Sequence, residues 1–167
     1  AEIATAVALV NSTSESAPAV ISQTTSAVIS AVPSAAGAIT ASVLSTTSNS
    51  GVAQGTISRV ISSTTQSAIQ SGVALANSTP SSGTPVLASV VGALVAHSPS
   101  NAATISDAAF TAIATSGLQQ STQTTLATTV AQSAIQASAQ NALQNGANFN
   151  AAALSAASTA QAVQQSA

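Results

Sequence analysis

Val86, Leu87, Val90, Val91, Leu94 and Val95 form the pattern that most restricts what this chain can become. On a helix of about 3.6 residues per turn all six share one side, whereas in a strand they would divide between two faces. Stripes of the same period recur at Ile3, Val7 and Val10; at Val20, Ile21, Val28, Ile29 and Val32; and at Ile39, Val43 and Leu44. Further stripes follow at Ile57, Val60, Ile61, Ala68 and Ile69, at Ile105, Ala109 and Ile113, and at Leu126, Val130, Ala134 and Ile135. Breakers separate them, so the spacing predicts an all-α fold: a compact bundle of about five or six helices, orthogonal or globular rather than a long coiled coil.

The breakers also suggest the ends of the helices. Pro18 suits a first helical turn, where its missing N–H would be unpaired anyway, with Ser16 or Ala17 as the cap. Pro33 and Gly51 punctuate next. Asn77 to Pro85, NSTPSSGTP, has the composition of the longest internal loop, with Thr84 and Pro85 expected as cap and first residue of the Val86 helix. Thr104 and Asp107 fit a capping box, and Gly117 can end the helix that follows. The helical domain is expected over 1–150, with 151–167 an Ala/Ser/Gln-rich terminal helix or linker. QSAIQ at 66–70 and 132–136, and SGVA at 50–53 and 71–74, are internal echoes too short to define a repeat period.

Charge excludes several function classes. In 167 residues the charged side chains are Glu2, Glu15, Asp107 and Arg59, with His97 the one other titratable side chain, and the net charge is -2. Nucleic acid requires several cations for its phosphates and aromatic platforms for its bases, neither of which one arginine and two phenylalanines provide. Zinc needs three or four converging ligands, and paired-acid catalysis needs two carboxylates across a cleft. A serine hydrolase would have His97 and Asp107 as its base and acid, yet no G-x-S-x-G elbow surrounds any serine. His97 is expected at a helix C-terminus, facing the negative end of the dipole. Arg59 is either an ordinary solvated charge or a latch between units. No catalytic, cofactor-binding or metal-ligating residue is assigned, and no cofactor or small-molecule substrate is expected.

The longest apolar run, Val86 to Ala96, is short of the roughly 18 residues of a membrane span and is broken by Ser89 and Gly92. The N-terminus lacks the layout of a signal peptide, so the chain reads as an internal piece of something longer. Asn11-Ser12-Thr13 and Asn77-Ser78-Thr79 match the glycosylation acceptor pattern.

Asp107 to Gln136, DAAFTAIATSGLQQSTQTTLATTVAQSAIQ, resembles the repeat units of spider silk proteins of the tubuliform, aciniform or pyriform kinds. It has their Ala-Phe-Ala-rich helix, Gly-Leu break and second Leu/Val/Ala helix. The resemblance implies a secreted, extracellular structural protein, helical in the gland and partly converted to β-sheet in the fibre, whose partners are neighbouring repeats and chains. An ice-binding Ala/Thr-rich helical protein and a Ser/Thr-rich cell-surface domain are the alternatives. The threonines show no regular helical interval for the first, and a stalk does not need apolar stripes.

Overall fold

A computed structural model describes residues 17–51 and 53–146. Among them lie six α-helices and no strand: α1 (Ala17–Ala31), α2 (Ala36–Ser48), α3 (Gln54–Ser78), α4 (Pro80–His97), α5 (Ala102–Ala114) and α6 (Gln120–Gln144). Short 3-10 turns, Pro33–Ala35 and Pro99–Asn101, precede α2 and α5. The fold is the expected all-α bundle, and its helices are not a straight coil, since the segments on either side of Pro33 are bent 120° apart. The stripe at Ile3, Val7 and Val10, Ser16 as a cap, Asn11 and the segment 151–167 lie outside the described residues.

Two expectations about helix ends are corrected. The segment from Asn77 to Pro85 is not a loop: α3 continues to Ser78, Thr79 alone separates it from α4, and Pro85 lies inside α4 rather than at its start. Pro80 takes the first helical position instead, where no N–H is missed. The hairpin is this tight because residue 83 is glycine, and a Cβ there would collide with the backbone of Ala76. The Thr104 and Asp107 capping box is also absent, because α5 starts earlier, at Ala102 after Asn101, and both residues are already helical. No side-chain hydrogen bond caps the N-terminus of any helix from α2 to α6.

The period that the short echoes leave undefined is plain in the backbone. Pro33 and Pro99, 66 positions apart, open the two 3-10 turns; Val32 before the first has φ -134 and ψ 71, and Ser98 before the second has φ -136 and ψ 70. At the same offset α2 and α5 are both 13 residues long, and α3 and α6 both 25. The turns between them pass through Gly51 at φ 70 and Gly117 at φ 72, a left-handed conformation that favours glycine. The described residues are thus two copies of one three-helix unit, α1–α3 and α4–α6, with QSAIQ at the same place in each third helix.

Packing repeats as well. α1 lies on α3 as α4 lies on α6, and α2 meets α3 as α5 meets α6. The seam between units has a direction: α4 seats on α2 and α3, and α5 touches α3, while α1 and α6 take no part in it. Gly37 and Gly72 let α4 approach closely. A Cβ on Gly37 would stand 2.9 Å from the Ser89 carbonyl oxygen, and one on Gly72 3.1 Å from Leu87 Cδ1. Val86, Val90 and Leu94 of α4 are buried, whereas their counterparts in α1, Val20, Thr24 and Val28, are half-buried because the described residues place no neighbouring unit against them.

The core is built from Ile, Val, Leu and Ala, and no charged side chain of the described residues is buried. Hydroxyls make it unusual. Thr25 and Thr40 are buried and donate to the carbonyl four residues back, Ile21 at 2.7 Å and Ala36 at 2.8 Å, the local bond by which a threonine satisfies itself inside a helix. Thr47, Thr64 and Ser106 bury hydroxyl oxygens that find no partner. Each such orphan costs about 1–3 kcal/mol relative to a satisfied or apolar group.

Candidate functional site

A half-open groove of about 700 Å³ runs along the unit seam, between α3 and α5. Its apolar floor comes from Leu44, Ile69 and Leu94, brought together because α4 seats on α2 and α3. Its walls are hydroxyls and amides, among them Thr65 and Gln66 from α3 and Thr111 from α5. No ionisable side chain lines it, so the groove offers hydrogen bonds and apolar contact and nothing that gives or takes a proton near neutral pH.

His97 is the last residue of α4, the helix end at which the sequence places it. Its Nε2 stands 3.1 Å from Ser48 Oγ, at the last residue of α2, so the contact bridges the two units. This is a pair the sequence reading missed, since 49 positions separate its members and no local motif marks Ser48. A nucleophilic serine would also need an orienting group on the other imidazole nitrogen. Among the described residues no hydrogen bond reaches that nitrogen, and Asp107 is exposed on α5 without an ion-pair partner. Ser48 is itself exposed at a helix C-terminus, where carbonyl oxygens rather than N–H groups are free, the opposite of what an oxyanion needs.

Asn141 completes this end of the bundle by donating from Nδ2 to the Ala96 carbonyl oxygen at 2.7 Å, which satisfies one of the last acceptors of α4. Arg59 is exposed on α3 and makes no ion pair among the described residues. Asn77, the acceptor of the second glycosylation triplet, is exposed near the end of α3. Among the described residues no group of three His, Cys, Asp or Glu side chains is placed to hold a metal, and no single helix is long and apolar enough to cross a membrane.

No protein-family model, curated protein or solved structure matches the chain.

Proposed function

We propose that this chain is a structural unit of an extracellular silk-like fibre protein, kept in solution as a helical bundle and assembled with partial conversion to β-sheet. What carries the reading is a conflict between the fold and its residues. The segments from Val20 to Val32 and from Val86 to Ala96 are almost wholly helical here, yet they are rich in β-branched side chains and contain no charge and no internal proline. Such segments are normally guarded by charges because, once exposed, they pair with neighbouring chains.

The helical state has little to hold it apart from burial. The N-termini of α2 to α6 lack side-chain caps, and three buried hydroxyls among the described residues are orphaned. With almost no charge, the surface stays hydrated through serine, threonine, glutamine and asparagine, groups that bond to one another as readily as to water. Drying or kosmotropic salt therefore turns the solvating groups into cohesive ones and favours burial between chains. The partners are other copies of the same chain, with no nucleic acid, membrane or small-molecule substrate, and no catalytic role.

The test is to place charges inside the two segments at exposed positions, so that the bundle is spared. Ala27→Lys with Ala96→Lys should suppress fibre formation under shear or dehydration, whereas Gln132→Lys with Gln140→Lys, on exposed positions of α6, should leave it nearly intact. Fibres that form equally well in both variants would refute the proposal.

A further inference from the structure

Charge is so scarce in this chain that the place of each charged side chain is informative. Among the described residues there are two, Arg59 on α3 and Asp107 on α5, and both are exposed. They flank the seam groove from opposite sides. Arg59 falls in the helical row of Ser62, Gln66 and Gln70 in the α3 wall, and Asp107 in the row of Thr104 and Thr111 in the α5 wall. Neither makes an ion pair within the molecule. At the 66-position offset their counterparts are Thr125 and Ala41, so this pair of charges belongs to the one groove and not to the repeat.

The surface between the two charges is neutral and partly apolar, with Ile61 and Ala112 half-buried and Ala108 exposed. On the α5 side the lining residues Ala108, Thr111 and Ala112 are small, which lets another helix come close. A cation on one wall and an anion on the other disfavour any partner whose surface has a single sign, since one of the two charges is always repelled. The same arrangement complements itself. A second copy turned by a two-fold axis along the groove presents Asp107 where the first has Arg59, and Arg59 where the first has Asp107.

We infer that the groove is the contact face of a symmetric dimer of folded bundles, in which α5 of each copy lies in the groove of the other and Arg59 pairs with Asp107 across the axis twice. An exposed ion pair contributes little by itself. Two pairs acting together set the register, and the contact of α5 with the partly apolar groove adds to them, which makes the dimer weak, concentration-dependent and sensitive to salt. The inference rests on the reading that the partners of this chain are its own copies. It concerns helical bundles in solution, before any conversion to sheet, so it stands or falls separately from fibre formation.

The test is sedimentation of the full soluble chain over a concentration series, with Arg59→Asp and Asp107→Arg as variants at exposed positions that leave the helical bundle intact by circular dichroism. Each variant alone turns both pairs from attraction to repulsion and should weaken the dimer by about tenfold or more. An equimolar mixture of the two should restore it, because the mixed dimer again has two opposite pairs, a rescue that no ion pair within one molecule gives. Location is read by crosslinking, since the chain contains no cysteine. Ser62→Cys chains mixed with Ala108→Cys chains should form a disulfide-linked heterodimer under oxidised glutathione, well above the yield of Ser62→Cys with Gln136→Cys, the latter exposed on α6. A wild-type chain that stays monomeric throughout, a mixture that is not rescued, or crosslinking no better than the Gln136 control overturns the inference.

Discussion

Ile69 and Ile135 hold the same place in the third helices of the two units, yet Ile69 is 1% exposed and Ile135 is half-buried. The difference lies in the direction of the seam, since α4 covers α3 and none of the described helices covers the matching face of α6. Ile69→Ala should therefore cost about 2–5 kcal/mol of unfolding free energy, the usual range for emptying a buried isoleucine site. Ile135→Ala should cost clearly less, and urea denaturation of the two variants side by side measures the contrast.

The orphaned hydroxyls make an opposite prediction. Thr64 corresponds to Val130 and Thr47 to Ile113 in the second unit, so each site has an apolar solution elsewhere in the same fold. Thr64→Val keeps the shape and removes an unpaired buried oxygen, and it should stabilise the bundle by about 1–2 kcal/mol. Thr40→Val, which removes a hydroxyl that is bonded to Ala36, should bring little or no gain. Thermal unfolding of the two variants checks the sign.

Glycines 83 and 92 should behave differently although both lie within α4. Gly83→Ala puts a methyl into the Ala76 backbone and should cost several kcal/mol or block folding, whereas at Gly92 no atom lies within 4 Å of the added Cβ. Gly92→Ala should stabilise by about 0.5–1 kcal/mol through helix propensity alone. Chemical denaturation with circular dichroism at 222 nm is sufficient to separate them.

Loss of the His97 side chain removes one bond to Ser48 across the seam. His97→Ala should lower stability by about 1 kcal/mol or less. Assay of ester and peptide substrates should show no turnover in either protein; an activity abolished by the substitution would contradict the structural role.

The helices themselves were legible in the sequence because apolar spacing survives even where propensity opposes it: Val86 to Val95 reads as one face despite its β-branched content. Helix ends were less legible. Asn77 to Pro85 has loop composition, but burial of Gly83 against Ala76 overrides it, and a contact between two helices leaves no local signature. The capping box at Thr104 failed for a related reason, since the Pro99–Asn101 turn starts α5 three residues earlier. The 66-position period was hidden because most counterparts differ in identity, and some in polarity, such as Leu44 with Phe110 or Thr64 with Val130. The groove and the Ser48–His97 contact belong to the seam and exist only once the two units meet.

The central claim, a helical store that converts to sheet, is tested most directly by following one buried segment in both states. Carbonyl-13C valine can report Val86, Val90, Val91 and Val95 by chemical shift in solution and again by solid-state NMR after shear and drying; single substitutions at these four positions assign their signals among the other valines. The account predicts helical shifts in dilute buffer and strand shifts for these residues in the fibre. Helical shifts that persist in the fibre, or strand shifts before any stress, would contradict it.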